Sequence, residues 1–572
     1  MIHNSFLLNS FDYRSSKELE GFKLPRLSFG GAYTKRYNTA AGDFLICVAV
    51  QREDFSTLPL LFVLEKPEPL KNVLLPHISV ANTLCIANEF SGDWHPYNIL
   101  NTVQLIDQRI SLTLEHSVRG YLEGRSDYSH EFSNYWWADV TAYGLIDPGL
   151  RPEKKLLYKA VLVPIGNRKI DTRELFVYDD AAHAEKWLKI RGGKWSSTEG
   201  AVSWIRLKPI QKPPVDWPPS CLKDILNWLK ATEAAAHDQL IRLLIASMHK
   251  SKHLIALDVS GDGLICCEVV FTARVTELLK HQTKRKSGRP QPIKISSIAP
   301  VLKSKQCIEF FKRVNYRPVT DSTILQRNRP SPQDLSNKRI LLIGAGTIGG
   351  YLSELLVKVG GGTGSRGVLD ISDPDEFKPE NIGRHWLNAH YIGWNKAEAI
   401  VAKLSECSMP NIQLRFLSRV IRVCNADLGG YDLIIDATGH APFSKMLAHF
   451  LHQNRMDYAP FVIHAHNGGY GQTSVVFIDN GKACYGCIEH LDVFKKGQKP
   501  LNPRRTSCGA TYTPYDANIS QITASLTQQA VLNTLQLKLP WTYAQYSSGD
   551  ALQHKKQKLA PYKQCRINRH VG

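Results

Sequence analysis

An α/β multidomain fold follows from three observations: the chain is too long for one core, its hydrophobic period changes along its length, and a strand–glycine turn–helix begins near residue 338. At roughly 150 residues per domain, 572 residues suggest three or four domains. Residues 1–150 alternate short apolar runs, FLICVAV and PLLFVLE, with Pro and Gly, then turn aromatic at Tyr135, Trp136 and Trp137. This predicts an α+β domain, an antiparallel sheet with helices beside it. Residues 151–320 are punctuated by Pro213, Pro214, Pro218 and Pro219 and predict a middle linker domain without evident chemistry. One helix is expected there from Leu222 to about Met248, then strands in HLIALDVSG and GLICCEVVF. Residues 321–572 alternate strands and helices in a βαβ pattern.

Hydrophobic residues make up 43% and charged residues 22%, a globular balance that excludes wholesale disorder. There is no run of about 18 apolar residues, and MIHNSFLLNS has neither a charged start nor a long apolar core. A cytoplasmic protein that does not enter a membrane is expected. Twelve cysteines are too sparse for a disulfide scaffold. Cys47, Cys266 and Cys267 sit in strand-like runs and read as small buried hydrophobes. The formal charge of +19 is concentrated in residues 274–329, with fourteen Lys/Arg against three acids, and in residues 551–572, with six and none. Such stretches suit nucleic acid, an acidic protein or plain solvent; few aromatics accompany them, so nucleic acid is disfavoured.

KRILLIGAGTIGG (338–350) is a strand entering a glycine turn, and the amphipathic YLSELLVKV follows. Gly344, Gly346 and Gly349 allow the turn and bring backbone close to phosphates at the positive end of that helix. Alone the motif serves any nucleotide, with NAD the default. DPDEFKPENIGRH (373–385) and GWNK (393–396) come next. Together these segments resemble the ubiquitin-activating and ThiF-type adenylating superfamily, with Glu380 where Ser is usual. The resemblance implies a Rossmann-like adenylation domain using ATP and Mg2+, with Asp373 on the ribose and Asn381, Arg384 and Lys396 on the phosphates. The chemistry agrees: a carboxylate attacking an α-phosphate brings two anions together, so fixed cations must neutralise the developing charge. In YDLIIDATGH (431–440), Gly439 stands where the family has a further Asp for Mg2+, leaving Asp436 as the nearest carboxylate. Arg327 matches an arginine that many members extend into the partner protomer's ATP site, which would make a homodimer; surface charge is the other reading.

Cys508 lies in RRTSCGA, where flanking arginines and a following helix start favour a thiolate. Its context is similar to the thioester cysteine of ubiquitin-activating-type enzymes. HISVANTLCI (77–86) and GDWHP (92–96) resemble the ubiquitin-conjugating fold around its active cysteine, which would be Cys85. The usual His-Pro-Asn is missing, and Asn82 or His77 is left to replace its asparagine. An N-terminal ubiquitin-conjugating-like domain, a linker domain and an activating domain on one chain resemble the fused proteins of bacterial CBASS antiphage operons. That resemblance implies adenylation of the C-terminal glycine of a cGAS/DncV-like nucleotidyltransferase, thioesters on Cys508 and Cys85, an acceptor amine such as lysine, and an opposing JAMM-type protease. A sulfur-carrier adenylating enzyme, which has no use for Cys85, and a non-catalytic ATP-binding scaffold are the rivals. Cys484 and Cys487 have the spacing of half a zinc site, which Cys565 and His570 could complete, but the expected reading is two reduced thiols at a turn and no bound metal.

Overall fold

The computed structural model describes the chain apart from residues 1–6, 8–9, 20–21, 23–30, 52–56, 87–96, 125–127, 129–134, 137, 139, 151, 153, 165–170, 210–216, 276–294, 329–332, 408–410, 455–459, 489–490, 492–503, 508–509, 513–514, 548–552, 566 and 568–572. It forms two compact units, residues 1–181 with 192–319 and residues 182–191 with 320–572. No described helix is long and apolar enough to cross a membrane.

The first unit opens with an antiparallel sheet of Asp12–Arg14, Gly31–Thr39, Gly42–Val50 and Leu60–Glu65. Gly42 has φ +116°, a conformation open to glycine, and closes the tight turn between the second and third strands. Helix Ile99–Leu122 covers the sheet because Val103, Ile106, Ile110, Leu114 and Val118 recur at helical spacing and pack against Tyr37, Phe44, Ile46 and Val63. Asp107 fastens the two layers, accepting from Lys35 Nζ at 2.7 Å and Tyr37 OH at 2.6 Å. The expected sheet with helices beside it is present.

The same unit contains a second sheet that closes on itself. Strands Asp171–Tyr178, Val140–Gly144, Ile308–Pro318, Gly263–Phe271, Lys252–Val259, Gly200–Leu207 and Leu157–Pro164 pair in that order, and the last pairs back to the first. Leu254, Ala256, Cys266, Val314 and Tyr316 fill its interior, while Ile255, Leu257, Ile265 and Cys267 point outward under the helices. The single helix expected from Leu222 is two, Leu222–Thr232 and Ala234–Ala246. Glu233 breaks it with φ −148°, and its carboxylate takes the Lys208 N–H at 3.1 Å instead of facing solvent on a helix.

The second unit carries an eight-stranded sheet in the order Leu414–Leu417, Val368–Ser372, Arg339–Ile343, Leu433–Asp436, Phe461–Gly468, Thr473–Asp479, Tyr543–Ser547, Gln553–Gln557. The first five strands are parallel and the rest antiparallel. The expected βαβ alternation is thus realised, with the order reversing between Arg339–Ile343 and Leu433–Asp436. Such a switch point leaves a crevice beyond the carboxyl ends of the two strands. Helices Thr347–Lys358 and Ala517–Thr534 cover one face with Leu352, Leu356, Ala524 and Ala530.

Candidate functional site

A cleft of about 590 Å³ opens at that switch point. Its walls are Gly346, Thr347 and Ile348, then Asn381, Arg384, His385 and Lys396, the exit loop Ala437–Gly439, and Asn467, Gly468, Gly469, Gly471 and Tyr515. Each glycine of the turn has its own reason. A Cβ on Gly344 would lie 2.8 Å from the Ala437 carbonyl, and one on Gly349 would lie 1.9 Å from Gly344 O. A Cβ on Gly346 would meet nothing within 4 Å, so this glycine faces the open cleft. Helix Thr347–Lys358 starts there, with its first N–H groups and dipole aimed into the cleft.

Arg384 reaches the cleft from the loop after strand Val368–Ser372, and Lys396 from the first residue of helix Lys396–Cys407. The Arg384 guanidinium lies 4.5 Å from the Tyr515 ring centroid, and Lys396 Nζ is 2.9 Å from Asp375. Asn381 Oδ1 accepts the Lys378 N–H at 3.0 Å, which folds the chain between Asp373 and Arg384 into one turn. Asp373 is buried and braces the glycine loop, accepting N–H groups from Ala345 at 2.7 Å and Asp375 at 2.9 Å; burial raises its pKa. His385 works from the opposite side. Its Nδ1 accepts the Leu387 N–H at 3.1 Å, so Nε2 carries the proton and donates to Ala345 O at 2.9 Å. Burial pushes its pKa down to about 4, so the ring is neutral at pH 7.

Asp436, the expected Mg2+ carboxylate, is fully buried. Its oxygens take Thr438 N–H at 3.1 Å, Thr438 Oγ1 at 2.7 Å, Ser444 Oγ and His464 Nδ1 at 2.9 Å. Burial alone would push this carboxyl up; the bonds from His464 and Ser444 outweigh it and hold it well below the usual range. Asp436 therefore braces the exit loop instead of facing the cleft: the strand's last side chain points into the sheet's interior. Arg327 ends the short helix Asp321–Arg327 and is exposed. Asn467, the glycines at 468, 469 and 471, and Tyr515 were not anticipated. The stretch NGGYG after a strand was the available signal: Gly471 has φ +80°, and a Cβ there would lie 2.4 Å from Tyr515 Cβ.

In the first unit, Cys85 is exposed on a turn after the four-stranded sheet. Its N–H donates to His77 O at 2.9 Å, and Ile78 bridges Leu84. His77 and Asn82 both adopt positive φ, 65° and 58°. Asn82 sits at the tip of the turn, where its carbonyl accepts the Val63 N–H at 2.8 Å; the ladder seats His77 beside Cys85. Cys508 lies outside the described residues, as do Trp94 and Pro96; strands Arg504–Ser507 and Ala510–Tyr512 flank Cys508.

Cys484, Cys487 and Cys565 converge, Cys484 Sγ lying 4.0 Å from Cys487 Sγ and 3.6 Å from Cys565 Sγ. The hydrogen bond within the Cys484–Cys487 pair raises the Cys484 thiol and lowers that of Cys487, which also takes the Tyr562 N–H at 3.4 Å. The CxxC pair thus has a third sulfur from the far end of the chain, while His570 lies outside the described residues.

Two family profiles match the chain: the ThiF family over residues 324–569 and Prokaryotic E2 family B over residues 30–143. The chain is 35% identical to the ATP-dependent ubiquitin transferase-like protein Cap2 of Vibrio cholerae serotype O1, over 99% of both chains. It is 32% identical to the protein of the same name from Escherichia coli strain TW11681, over 94% of this chain and 93% of that one. Among solved structures, Escherichia coli MccB with ATP is similar to 41% of the chain, covering 67% of its own length with 18% identity and a TM-score of 0.31.

Proposed function

The chain belongs to the Cap2 family of ATP-dependent ubiquitin transferase-like proteins, and on that premise we propose that it activates a partner protein's C-terminal glycine with ATP, relays the acyl group through Cys508 and Cys85, and joins it to an amine. The partner we infer is the cGAS/DncV-like nucleotidyltransferase of a CBASS antiviral operon, the acceptor a lysine or other amine, and the opposing enzyme a JAMM-type protease. The observation that carries the reading is one cleft that gathers a helix N-terminus at Gly346, Asn381, Arg384 and Lys396.

In the first step a carboxylate oxygen of the glycine attacks the α-phosphorus of ATP, the bond to the bridging oxygen breaks, and pyrophosphate leaves. Both reactants are anionic, so Arg384 and Lys396 stabilise the charge that builds between them, and the helix N-terminus holds the phosphates. Asp375 keeps Lys396 extended until phosphate replaces it. No Asp or Glu is among the described residues lining the cleft, so Mg2+ is expected as the counter-ion that ATP brings. Asp373, which the resemblance assigned to the ribose, is not among the described residues that line the cleft; its carboxylate instead braces the glycine loop through the Ala345 and Asp375 N–H groups. The Cys508 thiolate then attacks the acyl carbon and AMP leaves; Cys85 attacks that thioester and the Cys508 thiolate leaves. An amine finally displaces Cys85. Each thioester conserves the activation that ATP supplied.

His77 takes the part of the missing asparagine, its imidazole N–H stabilising the oxyanion as the amine attacks. Its backbone contact with Cys85 supports this over Asn82. His77→Ala should leave charging of Cys85 intact and slow single-turnover discharge to an amine by about 10²-fold. Equal discharge rates would remove His77 from the mechanism. Arg327 is proposed to complete the cleft of a second protomer in a homodimer. Cys484, Cys487 and Cys565 fit zinc, since a tetrahedral site with Zn–S of about 2.3 Å spaces its sulfurs about 3.8 Å apart; such a site would clamp the chain's end to the sheet.

The decisive experiment compares intact masses of wild type and Cys85→Ser from the native host, with and without thiol. A protein-sized adduct that resists thiol and maps to position 85 supports the relay and identifies the partner. An adduct confined to Cys508 would mean an activating enzyme without a conjugating arm, as in sulfur-carrier activation. ATP binding without adduct or pyrophosphate release would favour a scaffold.

A further inference from the structure

The closed sheet of the first unit has chemistry at both ends. At one end Glu268, 2% exposed, is held by Arg173 through bonds of 2.9 and 3.0 Å, so its charge is matched. At the other end Asp258 is equally buried, at 2%, but among the described residues it accepts only the Gly149 N–H, at 2.7 Å. A carboxylate has room for about four hydrogen bonds, and leaving a buried one short of donors is costly. Arg206 stands directly across the strand pair from Asp258, yet no ion pair joins them among the described residues. Both line a cavity of about 490 Å³, within the ordinary size of a small-molecule site, which Gln239 and Leu243 of helix Ala234–Ala246 also line.

The lining is sorted by charge. Asp258 supplies an anionic acceptor inside, Trp204 a half-buried indole on the wall, and Lys154, Lys155 and Arg206 three exposed cations. Trp204 is steadied edge-on by Tyr316, their ring centroids 5.8 Å apart. A complementary ligand is flat and aromatic, offers adjacent N–H donors at one edge, and carries negative charge at the other. Guanine nucleotides meet all three requirements: N1–H and the 2-amino group address one carboxylate together, whereas adenine offers a single amino group beside an acceptor. We propose that this cavity binds a guanine nucleotide, with the base on Asp258, the ring against Trp204 and the phosphate on Lys154, Lys155 and Arg206. This site is separate in chemistry from the ATP cleft and would give the linker region a ligand of its own.

The test is calorimetric titration of GMP into the full chain with its ATP cleft saturated by a non-hydrolysable ATP analogue, so that failure of the cleft shows separately in the analogue's own stoichiometry. One GMP per chain is expected, with AMP at least about tenfold weaker, the weight of one bidentate base contact. Asp258→Asn should weaken GMP by a similar factor. Arg206→Ala, at an exposed position that the fold tolerates, should weaken GMP while leaving guanosine unchanged, and it decides the matter if Asp258→Asn fails to fold. No heat with GMP at millimolar concentration, equal binding of AMP and GMP, or displacement by inorganic phosphate as effectively as by GMP would each overturn the proposal.

Discussion

At Arg384 and Lys396 the same charge does different work. The Arg384 guanidinium lies over the Tyr515 ring, so its position is set by stacking as well as by charge, while Lys396 is held by Asp375. Arg384→Ala and Lys396→Ala should each lower ATP–pyrophosphate exchange by about 10²- to 10³-fold with little change in melting temperature, since each removes a fixed charge facing the transition state. Retained exchange would remove that residue from the phosphate site. These residues were legible in the sequence because their spacing belongs to a motif. His385 was quoted within that motif, yet its task was not legible: its bond to Ala345 O joins positions 40 apart, and no local pattern encodes that contact.

At the scale of elements, the glycine turn is clamped from two sides, by Asp373 on Ala345 N–H and by His385 on Ala345 O. The His385 clamp has a pH dependence with a definite sign. Its folded pKa of about 4 lies below the ordinary 6.5, so the unfolded chain binds the extra proton. Its contribution is complete above about pH 6.5 and is lost as pH falls toward 4, by up to about 3 kcal/mol. Buried His466, also near 4, acts in the same window. The melting temperature should fall between pH 7 and 4.5 more steeply in wild type than in His385→Gln; parallel curves would show that the clamp carries no such linkage. Strands with strong apolar runs, such as Lys252–Val259 and Arg339–Ile343, were readable from the sequence. The break at Glu233 was not, because apolar residues continue in helical register on both sides and the carboxylate's partner, Lys208, is 25 residues away.

For the whole molecule, the three converging sulfurs bring Cys565 against Cys484 and Cys487, at the short helix Tyr485–Ile488 that follows strand Thr473–Asp479. Stoichiometric zinc should be found in purified protein, and a strong chelator should lower the melting temperature and make the end of the chain accessible to protease. Zinc well below one per chain would leave the cluster as three packed thiols. The sequence by itself determined the order of the parts, the nucleotide turn, the cationic residues after it and the polar turn that carries Cys85, because each rests on residues close together along the chain. Only the tertiary structure decided that Asp436 faces inward, that Cys565 joins Cys484 and Cys487, that NGGYG and Tyr515 close the cleft, and that the middle region closes into one sheet with the preceding strand Val140–Gly144. Those contacts join distant segments. Strand order and side-chain facing set them, and both are properties of the packed sheet.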